Sequence, residues 1–487
     1  MATPDPIHVA IDLGAGSGRA LIGGPASGGF HLAEVHRFHY APRHADGRLR
    51  WDAANLMAGI REGLQRAWAA ANDAGASITS VGVDSWGVDY ALLGRDGALI
   101  EEPVCYRDDR TADAMDRVFA LVPREEIYAR TGIQFMPFNT LYQLAAHVRA
   151  GIPDGTAHLL LMPDFCHHHL CGSLVSERTD ASTTQLLDAR TGEWDGTLFA
   201  RLGLPRGLMP EIVDAGATLG RMRPELCDDL GITPAAVVAP ATHDTASAVA
   251  GTPLEPGWAY ISSGTWSLVG VERRAPLLSL EAMRAGLTNE MGVGRTIRLL
   301  TNVMGLWLLE SCRREWEAEG RSQPLEPLLA AVARLREPVG LVDPDDRRFF
   351  APASMVRELR GALRESGQPE AADPVRLTKV ILDSLARRYA GVVANIERLA
   401  GQVVPGIHIV GGGSLNAYLN QATADASGRP VLAGPVEATA IGNLLAQGMA
   451  AGTIGSIEEG RRLVAASFPL NRFEPRRDRG THVDANR

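Results

Sequence analysis

The stretch IHVAIDLGAGSGRALIGG, residues 7–24, decides how this chain can fold. Its first residues, IHVAIDL, are largely apolar and β-branched, which is typical of a buried strand. A glycine-rich turn at residues 14–18 follows, and residues 19–23 have the pattern of a returning strand. The stretch therefore predicts a β-hairpin. It matches neither a Walker A loop, GxxxxGK[ST], nor the dinucleotide-binding GxGxxG, which opens a helix.

Two further glycine turns follow apolar strands later in the sequence. WAYISSGTWSLVGVE, residues 258–272, predicts a second strand–turn–strand hairpin about half a chain after the first, and IHIVGGGS, residues 407–414, predicts a strand ending in a third turn. Because the two hairpins share form but little identity, we predict a duplicated α/β architecture. Apolar residues at helical spacing predict further helices at 53–75, 112–121, 140–150, 375–400, 416–426 and 438–451.

Composition limits the class of protein. The 487 residues carry 48 Lys and Arg against 57 Asp and Glu, a net charge of −9, with 45% apolar and 22% charged residues. This balance argues against general nucleic-acid binding and against a polybasic membrane surface. No secretory signal or apolar run of spanning length is present, and five cysteines suit a reducing compartment. We therefore expect a soluble, cytoplasmic, globular α/β protein.

The glycine turns carry groups that suit phosphate chemistry. Exposed backbone N–H groups in such turns bind anions, and Asp12, Ser17 and Arg19 add a carboxylate that suits Mg²⁺ and two groups that suit phosphate oxygens. Asp244 follows an apolar strand at the start of a helix, where it is either an N-cap or a base. A base facing a phosphate cradle is the arrangement that phosphoryl transfer from ATP requires.

The cluster CHHHLC, residues 166–171, could suggest a metal site. Neighbouring helix residues do not face the same way, and no second ligand pair is found in the sequence. We therefore expect a partly exposed helix at this segment and not a metal site.

Ten blocks in this order resemble the FGGY family of carbohydrate kinases, and eight of them, all but DLGAGSGR and IVGGGS, narrow the resemblance to the L-rhamnulose kinases within it. They extend over nearly the whole chain, from about residue 8 to residue 450. The blocks are DLGAGSGR, DSWGVDYALL, YRDDRT, GIQFMPFNTLYQL, ASTTQLLDARTGEWD, THDTASAV, SSGTWSLVG, TNVMGLWLLE, IVGGGS and GPVEATAIGN, preceded by the first strand.

The resemblance implies two actin-like (ribonuclease H-like) α/β domains with an interdomain cleft for ATP and sugar. The expected domains are residues 1–245 and 246–471, with a flexible tail at 472–487. The expected reaction is phosphorylation of L-rhamnulose by ATP at the 1-hydroxyl, with Mg²⁺. The expected partners are the ketose and ATP, not nucleic acid or a membrane, and the chain is expected to be a monomer or a small homo-oligomer.

The resemblance also implies roles for individual residues. Asp244 is the expected base, and Asp12 is the expected metal-binding residue. The expected sugar contacts are Gly87, His243, Asp244, Thr245 and Asn302. Asp84 and Trp86 are further candidates because they precede Gly87 at the end of a predicted strand, not because of the resemblance. The expected nucleotide contacts are Ala15, Gly16, Ser17, Gly18, Arg19, Thr265, Glu310 and Gly412.

Three of these residues leave alternatives open. Trp86 either stacks on the sugar or fills the core, and Asp84 either bonds a sugar hydroxyl or caps a turn. Glu310 stands where the family pattern has Gln, so it can accept a hydrogen bond from the nucleotide but cannot donate one.

Other functions remain as alternatives. Specificity among epimeric ketoses depends on a few hydrogen bonds, so the substrate could instead be L-fuculose, L-ribulose or D-xylulose. A catalytically silent sugar sensor or a chaperone-type ATPase on the same fold is a further alternative. The chain has Asp244 and all three turns, which argues against a catalytically silent sensor. No peptide-binding domain follows the nucleotide core, which argues against a chaperone-type ATPase.

Overall fold

The computed structural model describes residues 6–26 and 28–476, which form two compact units interleaved along the chain. The first unit comprises the described residues up to Pro253, together with Glu272–Leu300 and Glu437–Phe468. The second comprises Leu254–Val271, Thr301–Val436 and the described residues from Pro469 onward. The boundary between residues 245 and 246 was predicted from the sequence alone, and it stays a prediction.

The strands are short and lie mainly in two sheets, one in each unit. They are β1 (Ile7–Leu13), β2 (Ser17–Ala26), β3 (Gly29–His39), β4 (Arg43–Ala45), β5 (Arg48–Arg50), β6 (Ile78–Ser85), β7 (Tyr90–Gly94), β8 (Leu99–Glu101), β9 (Thr156–Leu161), β10 (Val175–Glu177), β11 (Glu211–Val213), β12 (Ala217–Arg221), β13 (Ala236–Ala239), β14 (Ala259–Ser263), β15 (Trp266–Arg273), β16 (Thr288–Met291), β17 (Ile297–Met304), β18 (Ile407–Val410), β19 (Val431–Ala433) and β20 (Asn471–Phe473).

The helices alternate with these strands along the chain. They are α1 (Ala53–Asp73), α2 (Ala114–Leu121), α3 (Arg124–Thr131), α4 (Thr140–Ala150), α5 (Met162–Cys171), α6 (Arg178–Ala181), α7 (Gly196–Leu202), α8 (Pro224–Leu230), α9 (Asp244–Gly251), α10 (Leu280–Arg284), α11 (Trp307–Ala318), α12 (Leu325–Arg334), α13 (Met355–Glu365), α14 (Pro374–Ala400), α15 (Ala417–Ser427), α16 (Ala438–Ala450) and α17 (Ile457–Ser467).

The main sheet of the first unit has the strand order β12-β13-β6-β1-β2-β3. β1 pairs antiparallel with β2 and parallel with β6, and β13 pairs parallel with β6 and antiparallel with β12. The inner strand β1 is almost entirely buried, because α1 covers the sheet with Leu56, Ile60 and Leu64. Ala440, Ile441 and other residues of α16 pack against Ala10 of β1 in a second apolar cluster.

The second unit repeats this strand arrangement. Five neighbouring strands of its seven-stranded sheet have the order β15-β14-β18-β19-β20, and β17 and β16 follow beyond β15. β14 pairs antiparallel with β15 and parallel with β18, and β19 pairs parallel with β18 and antiparallel with β20. The order β2-β1-β6-β13-β12 in the first unit has the same sequence of pairing directions, which confirms the predicted duplication.

The predicted elements are largely confirmed. β1 and β2 form the hairpin predicted for residues 7–23. The predicted helices 140–150 and 375–400 appear as α4 and α14, and α14 is capped by the side chain of Asp373 and by Gly401. The apolar strand expected before Asp244 is β13, Ala236–Ala239.

Two expectations differ from the structure. The segment predicted as a partly exposed helix, α5, is largely buried, and His167 is fully buried within it. The predicted flexible tail begins inside β20, where Arg472 pairs opposite Leu432. Residues 477–487 of that predicted tail lie outside the described residues.

Across residues 6–26 and 28–476, no helix combines the length with the apolar character that crossing a membrane requires.

Candidate active site

Three segments of the first unit meet at the carboxyl end of its parallel strands. Asp12 at the end of β1 lies directly opposite Asp84 at the end of β6. The segment after β13 continues along β6, because Ser85 N–H donates to Thr242 O at 2.8 Å and Ser85 forms a β-bridge with His243. The first glycine turn, the DSWG segment and the THDT segment therefore share one edge of the sheet. Ligands of α/β proteins commonly bind at this edge.

The glycine turn between β1 and β2 is closed by its own backbone. Gly14 N–H donates to Ser17 O at 2.9 Å, and Gly16 N–H donates to Gly14 O at 2.9 Å. Ala15 and Gly16 are exposed at its tip. Of the predicted phosphate-binding residues, Ala15 and Gly16 are thus accessible to a ligand, Ser17 and Arg19 are half-buried, and Gly18 is buried.

Close packing explains the glycine at position 18. A Cβ atom there would lie 2.3 Å from an atom of the Phe38 ring, which is closer than atoms can approach. Its φ is not in the left-handed region. A positive φ is therefore not the reason for glycine at this position.

Arg19 joins two carboxylates. Its guanidinium forms ion pairs with Asp12 and with Glu437, and its side chain is 20% exposed. Arg19 and Asp12 also face each other across the β1–β2 hairpin. A phosphate at Arg19 or a metal at Asp12 would therefore compete with these ion pairs. Glu437 belongs to the block GPVEATAIGN, but its role was not foreseen from the sequence.

Asp84 is fully buried, and only one of its two carboxylate oxygens accepts a hydrogen bond. Asn443 Nδ2 donates to its Oδ2 at 2.5 Å, and Oδ1 accepts no hydrogen bond from any described residue. Burial raises the pKa of Asp84 well above its usual value, and the charge of Asp12 raises it further. The direct bond to Asn443 was not foreseen from the sequence either.

The carboxylates at this edge fit a divalent cation. An unpartnered carboxylate oxygen of Asp84 opposite a second carboxylate, Asp12, is a donor set that suits Mg²⁺. Among the described residues, no group of three or more His, Cys, Asp or Glu side chains is placed to hold a metal alone. Such an ion would therefore also need oxygen ligands from phosphates and water.

Trp86 lies in the core and not at an open surface. It is 6% exposed, and its indole N–H donates to Asp89 Oδ2 at 3.1 Å. Trp51 donates to the same oxygen at 2.7 Å, and the ring centroids of the two tryptophans lie 4.5 Å apart. Of the two interpretations left open for Trp86, these contacts favour core packing.

Gly87 can contact a ligand only through its backbone, because there is no room for a side chain at this position. A Cβ atom would lie 2.9 Å from Thr183 Oγ1 and 3.0 Å from Asp180 Oδ1. The residue itself is half-buried. A ligand can therefore approach its main chain closely, as a sugar contact at this position requires.

Asp244 is the first residue of α9, and the N-cap position is taken by His243. Asp244 Oδ1 accepts from Thr245 N–H at 2.6 Å and from Thr245 Oγ1 at 3.1 Å. The side chain is 30% exposed, and Oδ2 accepts no hydrogen bond from the described part of the chain. One oxygen is thus anchored while the other is available to a ligand.

The surroundings of Asp244 make its carboxylate a stronger base. Desolvation by the surrounding protein is the largest cause that raises its pKa. The charge of Asp12 also raises this pKa, whereas His243 and the two bonds from Thr245 lower it. The net effect moves the pKa upwards, which suits proton abstraction near neutral pH.

His243 stands between Asp244 and a buried ion pair. Its Nε2 lies 3.5 Å from Asp244 Oδ1, and its Nδ1 lies 3.1 Å from Arg298 Nη2 and 3.4 Å from Glu290 Oε2. Arg298 and Glu290 were not predicted, because neither belongs to a recognisable motif.

The predicted residues of the second unit lie on adjacent strand ends. β14 and β18 run parallel, so the turns that carry Thr265 and Gly412 neighbour each other. A Cβ atom at Gly411, whose φ is +79°, would lie 2.9 Å from Ser263 O. Thr265 and Gly412 are both exposed, and no atom within 4 Å would meet a Cβ at Gly412. Both turns are therefore open to a ligand.

Glu310 and Asn302 complete the predicted set in this unit. Glu310 lies on α11, near the start of which Trp307 N–H donates to Thr265 O at 3.2 Å. Its carboxylate is 48% exposed and pairs with Arg313 at 2.8 Å. Asn302 lies half-buried in β17. The start of the helix that carries Glu310 therefore lies beside Thr265 within the second unit.

Family models match most of the chain. The N-terminal domain model of the FGGY family of carbohydrate kinases matches residues 7–251, and its C-terminal domain model matches residues 259–451. The chain is 44% identical over 473 residues to a rhamnulokinase of Pectobacterium carotovorum, covering 96% of this chain and 93% of that protein. It is 40% identical over 470 residues to a rhamnulokinase of Bacteroides thetaiotaomicron, covering 96% and 95%.

Solved structures share the fold at low identity. A xylulose kinase of Lactobacillus acidophilus superimposes with a TM-score of 0.78 at 15% identity, covering 97% of this chain and 94% of that chain. A glycerol kinase of Plasmodium falciparum gives a TM-score of 0.77 at 15% identity, covering 98% and 95%. These likenesses and the repeated sheet confirm the predicted actin-like (ribonuclease H-like) α/β fold. The chain belongs to the FGGY family of carbohydrate kinases.

Proposed function

We propose that the chain transfers the γ-phosphoryl group of ATP to the 1-hydroxyl of L-rhamnulose, giving ADP and L-rhamnulose 1-phosphate. The observation that carries this proposal is the 40–44% identity to rhamnulokinases over 96% of the chain. The arrangement around Asp244 supports it, because a half-anchored carboxylate with a raised pKa is suited to remove a hydroxyl proton.

Asp244 is the proposed base. Its Oδ2 takes the proton of the 1-hydroxyl while the hydroxyl oxygen forms a bond to the γ-phosphorus. The bond between that phosphorus and the β,γ-bridging oxygen breaks, and ADP leaves with the bridging oxygen. Thr245 holds the other carboxylate oxygen and so limits rotation of the base. Little covalent work is left to the protein, so positioning and electrostatics dominate the rate.

The exposed turns are the proposed ATP contacts. In the first unit, Ala15, Gly16, Ser17, Gly18 and Arg19 would bind phosphate oxygens through backbone N–H groups, a hydroxyl and a guanidinium. In the second unit, Thr265 would bind phosphate, and Gly412 and Glu310 would contact the adenosine. The open space at Gly412 supports a flat ligand against that turn.

Asp12, with Asp84 beside it, is proposed to hold Mg²⁺ together with ATP phosphates and water. The unpartnered oxygen of Asp84 supports this. When bound, Mg²⁺ neutralises phosphate charge that develops during transfer. Arg19 would then leave Asp12 and keep its pairing with Glu437 or bind phosphate.

The proposed ketose contacts are Gly87, His243, Thr245 and Asn302, whereas the free oxygen of the fully buried Asp84 is assigned to Mg²⁺ instead. The backbone of Gly87 and the ring of His243 lie at the same edge of the first unit's sheet as Asp244. Trp86 is proposed to shape this pocket from beneath, because its indole N–H is already bonded to Asp89.

We also propose that the protein works in the cytoplasm as a monomer or a small homo-oligomer. The five cysteines are free thiols, and four of them are buried. That supports a reducing compartment.

The test is ADP release from MgATP across L-rhamnulose, L-fuculose, L-ribulose and D-xylulose, with glycerol as a non-ketose comparison. The proposal predicts the highest kcat/KM for L-rhamnulose. Preference for another ketose would overturn the substrate and keep the reaction class. No sugar-dependent ADP release from folded protein would overturn both.

A further inference from the structure

A charged pair lies buried behind the site. Glu290 on β16 and Arg298 on β17 are direct cross-strand partners. Arg298 is fully buried and Glu290 is 4% exposed, and Arg298 Nη2 lies 3.1 Å from Glu290 Oε2. Arg298 Nε also donates to Met291 O at 3.0 Å. A buried ion pair often adds little stability over apolar residues, so its presence calls for another explanation.

The pair contacts one nitrogen of His243. Arg298 Nη2 lies 3.1 Å from His243 Nδ1 with hydrogen-bond geometry. A guanidinium has only donors. Nδ1 must therefore be the acceptor, and the proton of the neutral ring must lie on Nε2.

The other nitrogen of His243 faces the proposed base. Nε2 lies 3.5 Å from Asp244 Oδ1, within ion-pair range but not hydrogen-bonded. In the opposite tautomer, a lone pair on Nε2 would face this carboxylate, which is electrostatically unfavourable. The protonated Nε2 instead presents a donor to a ketose oxygen that binds beside Asp244.

We infer that Arg298, held by Glu290, is a positioning residue that fixes His243 in the Nε2–H tautomer, so that the ring presents an N–H donor next to Asp244. The identification of Asp244 as the base and of a ketose as the ligand rests on the proposed function. The tautomer itself rests only on the geometry of the first unit.

Arg298 places a positive charge beside Nδ1 of His243. Without it, Nδ1 can donate to Glu290 Oε2, which lies 3.4 Å away. The neutral ring would then carry its proton on Nδ1 instead of Nε2, or the ring would take up a second proton and become the imidazolium. The acidic groups on the elements around His243 and Asp244 are Asp12 on β1, Asp84 on β6, Glu177 on β10, Asp180 on α6 and Glu290 on β16.

The direct test is a long-range ¹H–¹⁵N spectrum of the protein labelled at histidine nitrogen. The signals of His243 are assigned by their absence in His243→Asn. The inference predicts a protonated Nε2 and an unprotonated Nδ1 in the wild-type protein. A protonated Nδ1 there would overturn it.

Three variants test whether the tautomer of His243 depends on Arg298. Arg298→Met is expected to move His243 to the Nδ1–H form or to the imidazolium. Arg298→Lys is expected to keep Nε2–H, because an ammonium group is also only a donor. Glu290→Gln is expected to keep Nε2–H as long as Arg298 remains in place. The wild-type tautomer in Arg298→Met would contradict the inference.

A double variant covers the case in which Arg298→Met fails to fold. Glu290→Leu with Arg298→Met removes both charges, a replacement that proteins often tolerate. Asp244 still favours a proton on Nε2 in this variant, but Nδ1 has lost its donor, so the ¹⁵N shift of Nδ1 is expected to move away from its wild-type value. An unchanged Nδ1 shift in this variant would overturn the role of the pair.

Kinetics separate this inference from the proposed function. Arg298→Met is expected to lower kcat on the order of tenfold with the KM for ATP unchanged, and Arg298→Lys to recover most of that loss. If the wild-type protein phosphorylates no ketose, the proposed function fails while the spectrum still tests the tautomer. If it phosphorylates L-rhamnulose and Arg298→Met keeps both kcat and the tautomer, only the inference fails.

Discussion

Glu177 Oε2 accepts hydrogen bonds from both the N–H and the hydroxyl of Thr242, each at 2.9 Å, two residues before Asp244. The same carboxylate accepts from the N–H of Thr179 at 3.0 Å and from its hydroxyl. His243 N–H in turn donates to Thr179 Oγ1 at 3.3 Å. One fully buried acid therefore fixes the backbone that carries the proposed base.

Glu177→Gln tests this anchoring. An amide has only one acceptor oxygen, so it leaves buried donors without a partner. We expect a loss of about 1–3 kcal/mol in the free energy of unfolding. We also expect a lower kcat, because the Thr242–Asp244 segment can shift. Urea unfolding and steady-state kinetics measure the two effects.

The control for this variant is Glu211→Gln, a change at an exposed position of β11. It is expected to alter neither property. Unchanged stability and unchanged kcat in Glu177→Gln would refute the anchoring role.

The hydroxyl of Thr245 should set part of the pH dependence. It donates to Asp244 Oδ1 at 3.1 Å and so stabilises the ionised carboxylate. Thr245→Val removes this bond and raises the pKa of Asp244 further. Because the base must be ionised, the acid limb of kcat/KM is expected to move to higher pH. A pH profile of kcat/KM for both proteins measures the shift.

The matched control is Thr252→Val on the same chain segment, since the Thr252 hydroxyl donates to Ala248 O at 2.7 Å. Its acid limb is expected to coincide with that of the wild-type protein. A Thr245→Val limb at the same or lower pH would argue against Asp244 as the titrating base.

His167 should make the fold sensitive to acid. It is fully buried, its Nε2 accepts from Val83 N–H at 3.0 Å, and burial lowers its pKa from 6.5 to about 3. The unfolded chain takes up a proton below pH 6.5 while the folded chain stays neutral, so stability falls as the pH drops from about 6.5 towards 3. The loss between pH 7 and pH 5 is expected to be about 2 kcal/mol.

His167→Gln keeps an acceptor and removes the titration. Urea unfolding at pH 7 and pH 5 is expected to give a smaller difference for this variant than for the wild-type protein. The exposed His44→Gln serves as the control and should leave that difference unchanged. Equal acid sensitivity in wild-type and His167→Gln protein would rule out the explanation.

Glu310 should affect the binding of the nucleotide and not the binding of the sugar. Its ion pair with Arg313 is exposed and contributes little to stability, under about 1 kcal/mol. Glu310→Gln gives the nucleotide a donor as well as an acceptor. We expect a lower KM for ATP, an unchanged KM for the ketose and unchanged stability. The exposed Glu317→Gln on the same helix is the control, and a change confined to the ketose KM would contradict the assignment.

The sequence predicted the elements that depend on local patterns. The hairpin β1–β2 follows from an apolar run, a glycine turn and a second run, and α14 follows from apolar residues at helical spacing. The duplicated sheet was also predictable, because the same strand–turn–strand pattern recurs in WAYISSGTWSLVGVE. Asp244 was a candidate from the sequence because its motif stands at a strand end, and its role as base stays a proposal.

The remaining site residues depend on contacts between distant parts of the chain. Glu177 meets Thr242 across 65 residues, and Arg298 meets His243 across 55 residues. A single Glu or Arg in a short strand carries no local signal of such a partner. The burial of α5 was missed for the same reason, because the Nε2 of His167 accepts a hydrogen bond from the backbone of Val83 in another strand.

The phosphoryl transfer to L-rhamnulose is the central claim, and its product tests it most directly. MgATP and L-rhamnulose are incubated with wild-type protein and with Asp244→Asn, and ADP and a ¹H–³¹P correlation spectrum are recorded. We expect one ADP per L-rhamnulose 1-phosphate, with phosphorus coupled to the protons on C1. We expect Asp244→Asn to bind ATP but to turn over about 10²–10⁴-fold more slowly. No sugar phosphate from the folded wild-type protein, or near-normal turnover by Asp244→Asn, would contradict the account.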